Sequence, residues 1–178
     1  MTIWRDVEHC RSAMVRQLHD VWSLKRGDAG VPRRAEFDPA EIKPLLANML
    51  IVDLEPEPFR ARYRLVGTKV VAASGYDFTG RYLDEMNLAS GGELWLSYYR
   101  MMRDSELPLF GAVALPAADG GTFAYEFGIF PVTTDGSAVT QCLDIEDYGD
   151  FNPRLSELQD KIAHWRPVPI TAKGEGEG

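Results

Sequence analysis

Tyr63-Arg64-Leu65-Val66-Gly67-Thr68, continued by Gly75-Tyr76-Asp77-Phe78-Thr79-Gly80-Arg81, is the stretch on which the reading of the fold turns. Ala61, Tyr63 and Leu65 alternate with Arg60, Arg62 and Arg64, the period of a strand with one wet face. Gly67 ends that strand, and a short amphipathic helix precedes the glycine-punctuated loop. Another short helix is predicted from near Tyr82. Short helices in succession bury little among themselves, but they wrap one face of a sheet. The stretch is therefore read as one wall of an internal cavity.

The sheet it must cover lies on both sides in sequence. Leu50 to Leu54 reads as a strand closed by the turn Glu55-Pro56-Glu57-Pro58. After Gly91-Gly92, the stripe Leu94, Trp95, Tyr98, Tyr99, Met101 and Met102 predicts a helix that ends before Pro108. Three strands follow without an intervening helix: 109 to 115, then Phe123, Tyr125, Phe127 and Ile129 in alternation, then Val139, Gln141, Leu143 and Ile145. Thr134-Asp135-Gly136 is the hairpin signal between the last two.

Upstream, Asp38-Pro39 predicts the start of a helix running to about Asn48, with Asp38 capping and Glu41 at the capping-box place. Residues 3 to 24 read as one helix, with Ile3, Val7, Cys10, Met14, Val21 and Leu24 at alternating four and three spacings. Trp4, Leu18 and Trp22 widen its apolar face. That seam serves equally for packing on its own domain and for a homodimer. Residues 153 to 165 read as a closing helix, and the tail from Lys173 to Gly178 is too polar to pack.

The 178 residues suit one domain with a real core, 45% hydrophobic and 26% charged. No apolar run reaches membrane-spanning length, and the opening residues carry no apolar signal region, so a cytoplasmic protein without a membrane partner is expected. Two distant cysteines, Cys10 and Cys142, fit reduced thiols. A net charge of −8 weighs against a nucleic-acid partner, and Lys25, Arg26, Arg33 and Arg34 form a broken basic cluster read as a solvated loop. No nucleophile elbow, phosphate loop, nucleotide fingerprint or zinc spacing occurs, so no catalytic or metal residue is assigned. Asp144, Glu146, Asp147 and Asp150 read as a solvated edge.

The order of two strands, short helices, a longer helix and a three-strand meander resembles that of PAS domains. Gly75-Tyr76-Asp77-Phe78-Thr79-Gly80-Arg81 with Leu83 looks like the PAS region whose helices cover the ligand cavity. Trp22, Lys25-Arg26-Gly27, Pro32-Arg33, Phe37-Asp38-Pro39, Tyr63 to Thr68 and Thr79-Gly80-Arg81 are similar to a proteobacterial PAS subfamily, over roughly residues 10 to 150. The resemblance implies an α+β PAS fold: a five-stranded antiparallel sheet covered on one face by short helices, with an N-terminal helical extension. Residues 1–48 would be the extension, 49–150 the domain, and 151–178 a helix and tail. It implies a stand-alone sensory or interaction module in signal transduction, not an enzyme, binding a small molecule or a signalling protein. A small α+β enzyme or carrier, and a scaffold with a filled cavity, are the alternatives.

On that frame Gln141 is the foremost ligand candidate, a polar group on an apolar strand face; it could instead tie down a buried backbone group. Tyr63, Tyr125, Phe127 and Tyr98 are expected to line the cavity, with Phe123 and Trp95. Arg81 sits at its mouth, placed either to hold a carboxylate or phosphate or to pair with Asp77, Asp84 or Glu85. The homodimer would use Ile3, Val7, Cys10, Met14 and Val21, or the sheet face. His9, His19 and His164 lie outside the helical wall, which weighs against haem. Residues 63–108 hold no cysteine, which weighs against cysteinyl-flavin chemistry. Cys142 reads as a surface or dimer-face residue.

Overall fold

In the computed structural model, residues 1–27, 30–86, 91–116 and 122–149 are described. The expected turn at 117–121, the side chain of Phe123, the helix at 153–165 and the polar tail lie outside them. Among the described residues, six strands form one antiparallel sheet in the order β1-β4-β5-β6-β2-β3. They are β1 (Thr2–Trp4), β2 (Met49–Pro56), β3 (Phe59–Val66), β4 (Leu109–Pro116), β5 (Thr122–Thr133) and β6 (Val139–Asp147). Three helices accompany them: α1 (Ala13–Arg26), α2 (Thr68–Ser74) and α3 (Gly91–Ser105). The architecture is α+β, with one strand more than the expected five.

The extra strand replaces the first turns of the predicted N-terminal helix. Thr2–Trp4 pairs with Ala112–Phe110 along the edge of β4, covering backbone groups that would otherwise stand open. Asp6 then caps a single 3-10 turn at Val7–His9, and α1 starts only where Ser12 accepts from the Val15 N–H. Its buried stripe is Val15, Leu18 and Trp22, one position away from the predicted Met14–Val21–Leu24 seam; Leu24 is 74% exposed. The predicted helix at 39–48 is a string of turns ending in a 3-10 turn at Leu46–Asn48. Pro44 is the cause: it brings no N–H and disfavours helical backbone at Lys43. Asp38 does cap, accepting from the Ala40 N–H, while Glu41 pairs with Lys25 instead of closing a capping box.

α1 does not stand apart as an arm; it covers the sheet's outer face. Cys10, Val15, Leu18, Trp22, Phe37, Ile42 and Leu45 pack there against Met49, Phe110, Phe130, Val132, Leu143 and Ile145. The Trp22 indole N–H donates to the Pro131 carbonyl at 2.8 Å. Glu126 on β5 accepts from the backbone N–H groups of Arg11 and Ser12, both at 2.7 Å, and Ser12 Oγ donates to Asp147 at 2.6 Å. A Cβ on Gly128 would stand 2.8 Å from the Phe130 ring and 3.0 Å from Val15, so the helix rests where the strand has no side chain.

The inner face is covered by α2, α3 and the stretch between them, and its core joins Leu50, Val52, Tyr63, Val70, Phe78, Leu83, Tyr98, Tyr99, Phe127 and Cys142. Gly75 closes α2 in the left-handed conformation, at φ 80. The chain then runs beside β3: the Gly80 N–H donates to the Tyr63 carbonyl at 2.6 Å, and the Tyr63 N–H to that of Arg81 at 2.9 Å. Leu83–Glu85 forms the one 3-10 turn after Tyr82. The wall predicted from the opening stretch is thus hydrogen-bonded to the sheet it covers. Leu65 departs from its expected face, at 41% exposed. Ile51 pairs with Leu65 but Val52 with Tyr63, so Arg64 is an inserted bulge residue that reverses the strand's phase.

Candidate functional site

β6 runs through the centre of the sheet and is covered on both sides. Its successive side chains therefore enter different cores. Leu143 and Ile145 belong to the outer core, while Cys142 belongs to the inner one. Asp144 alternates with Leu143 and Ile145 and so faces the wall. It is 1% exposed. The Tyr99 hydroxyl, brought in by α3, donates to Asp144 Oδ2 at 3.0 Å. Burial, then the neighbouring Asp144, raises the Tyr63 phenol above its ordinary value. Oδ1 of Asp144 and Oη of Tyr98 are buried without a hydrogen-bond partner among the described residues.

Glu146 lies in the same phase two residues on, half-buried and bonded by the Tyr148 hydroxyl. Tyr125 packs on Tyr148 with ring centroids 5.1 Å apart. Trp95 meets Phe127 at 4.8 Å, and Tyr98 flanks both. Burial, then the neighbouring Glu146, pushes the Asp144 carboxyl well above its usual range. Burial raises Glu146 from 4.5 to about 7. Desolvation likewise raises the phenols of Tyr98, Tyr99 and Tyr125. No lysine, arginine or histidine offsets the two acids among the described residues.

Of the predicted site residues, Tyr63, Tyr98 and Phe127 come together in this inner layer, with Tyr125 at its border. Gln141 does not join them. It pairs in register with Val132 of the outer core and with Asp53, and its Nε2 donates to Asp53 at 2.6 Å. The reason is that both faces of β6 are apolar, so alternation alone did not say which one meets the wall. Arg81 is exposed, and of the acids expected for it Asp84 and Glu85 bond Arg60 at 2.8 Å and 3.0 Å, while Asp77 accepts from the Thr79 N–H at 2.9 Å. Cys142, expected at the surface, is fully buried in the inner core.

Cys10 is also buried, packed in the outer core. Val7, Met14 and Val21 are half-buried against the outer core, and Ile3 lies in β1 against the inner one. The basic cluster is largely committed: Lys25 pairs with Glu41, Arg26 lies over Trp22, and Arg33 pairs with Glu36. The residues missed in the sequence are Asp144, Tyr99 and Glu146. Their signal was a carboxylate between Leu143 and Ile145 in an otherwise apolar strand, which a solvated edge does not explain. Among the described residues no three His, Cys, Asp or Glu converge to hold a metal.

An antiparallel sheet whose strands run β4-β5-β6-β2-β3, with a wall of short helices over one face and polar groups buried between, is the α+β architecture expected above. The chain belongs to the PAS domain family, whose model matches residues 10–144. PAS domains are generally sensory modules and not catalysts. No curated protein matches the sequence. Among solved structures the chain is similar to an RNA-binding light-oxygen-voltage receptor, with 17% identity, a TM-score of 0.45, and coverage of 74% of this chain and 40% of that one. It is similar to the PAS domain of a Colwellia psychrerythraea protein, with 13% identity, a TM-score of 0.42, and coverage of 63% and 98%. It is similar also to VqmA from Vibrio cholera in complex with ligand and DNA, with 14% identity, a TM-score of 0.48, and coverage of 79% and 64%. The chain therefore spans well under half of the first of these and just under two thirds of the last. Among the described residues no helix is long and apolar enough to cross a membrane.

Proposed function

We propose that this chain is a sensory PAS module whose inner layer holds a small molecule and passes the occupied state to a protein partner without catalysis of its own. The observation that carries this reading is the pair of orphaned polar atoms, Asp144 Oδ1 and Tyr98 Oη, sealed between sheet and wall. A buried polar group without a partner costs about 1–3 kcal/mol, and a ligand that meets it recovers that cost. Occupancy shifts the domain only so far as the ligand prefers one arrangement of the wall. The sheet's outer face is covered by α1, so a change there reaches a partner, including a second copy of the chain, through α1 or its exposed side.

The test is mass spectrometry of small molecules released on denaturing the purified protein. A reproducible, near-stoichiometric compound supports the sensor. Protein recovered empty, with the inner tyrosines as strongly protected from exchange as the outer core and unmoved by any added compound, means a filled scaffold and overturns it.

A further inference from the structure

Resting on that reading, we propose that the inner site selects a small organic cation, an ammonium or amidinium on an apolar body, with its N–H group on Asp144 and its body against Trp95, Tyr98 and Phe127. Four observations fix the class. One oxygen of Asp144 already accepts from Tyr99, while the other is buried and unmet. Glu146 shares the same face of β6 two residues away, so ionising either acid makes ionising the other costlier until a positive charge joins them. No cationic side chain answers them among the described residues. The neighbouring side chains are aromatic, Trp95, Tyr98 and Phe127 packed on one another, and aromatic rings attract positive charge.

Other occupants satisfy fewer of these. An anion brings negative charge to a dry layer whose two acids already resist ionisation. An apolar guest leaves Asp144 Oδ1 unbonded. A neutral donor meets that oxygen but does nothing to ease the ionisation of the paired acids. A metal ion lacks a converging ligand set among the described residues. A cation lets Asp144 ionise, makes a charge-assisted hydrogen bond to it and uses the rings.

The probes are 2-phenylethylamine against 2-phenylethanol, and benzamidine against benzamide, each pair alike in shape and different in charge. Calorimetry gives affinity, and NMR of the aromatic side chains reports whether Tyr98 and Phe127 respond. The charged member is expected to bind about tenfold or more tightly than its neutral partner. Asp144→Asn should bring the two within about threefold of each other. Neutral probes binding equally well, with Tyr98 and Phe127 shifting, overturn the cation and leave the ligand-binding reading standing. No response of the inner rings to any probe overturns the cation, and the compound released on denaturation then decides the ligand-binding reading. If Asp144→Asn fails to fold, the preference of the wild-type protein decides the matter alone.

Discussion

Replacing Ser12 with alanine tests whether α1 is an integral cover or a loosely attached arm. Its hydroxyl does two things at the start of the helix: it accepts from the Val15 N–H at 3.1 Å and donates to Asp147 at 2.6 Å. Loss of a serine N-cap costs about 0.5–2 kcal/mol. A hydrogen bond to a charged group contributes about 1.5–3 kcal/mol, and the lower end applies because Asp147 is half-buried and regains water. Together these predict a loss of roughly 2–3 kcal/mol. At about 2–4 °C per kcal/mol for a domain of this size, the midpoint should fall by about 4–12 °C. Circular dichroism melts, repeated as urea titrations, measure it. Ser23→Ala on the exposed side of the same helix should stay within about 0.5 kcal/mol of wild type. Equal, negligible losses for both variants would mean that the cap and the β6 contact do not hold α1, and would refute its role as a fixed cover.

Three further outcomes follow from named contacts. Trp22→Phe leaves the Pro131 carbonyl unmet beneath α1 and should cost about 1–3 kcal/mol in urea unfolding. Gly128→Ala puts a methyl into Phe130 and Val15, costing about 1–3 kcal/mol, and hydrogen exchange should quicken in α1 more than in α3. The pH dependence follows from Asp144 and Glu146, whose carboxyls titrate higher in the folded chain than in the unfolded one. The folded state thus binds more protons, so stability falls as pH rises from about 5.5 to about 8, and Asp144→Asn should flatten the slope. A urea midpoint that climbs over that interval would contradict the burial of the two acids.

The meander, the hairpin and the wall were legible because turn residues such as Gly67, Gly75 and Thr134-Asp135-Gly136 mark their boundaries. Tyr63, Phe127 and Ile129 fell on the inner face as alternation requires. The errors arose where two environments give the same pattern. β6 is apolar on both faces, so Gln141 and Asp144 could exchange roles, and the buried acid passed for a rim residue. At Leu65 the bulge at Arg64 breaks the period, and only pairing with Ile51 shows it. Near Lys43 the capping signals were real, yet Pro44 removed the helix they announced. At the N-terminus the heptad spacing spanned three short elements by coincidence, since Ile3 pairs with Gly111 as a strand residue.

That the outer core is drawn almost equally from residues before and after Asn48 bears on how the protein can be handled. Composition suggests trimming the first two dozen residues, or all 48, to isolate a minimal sensor. Such a cut strips Val15, Leu18 and Trp22 from Phe130, Leu143 and Ile145, leaving a greasy sheet face in water. Any self-association the shortened chain then shows reports the wound, not the native assembly. The oligomeric state has to be measured on chains that keep α1, altered only at its outward-facing positions such as Leu24.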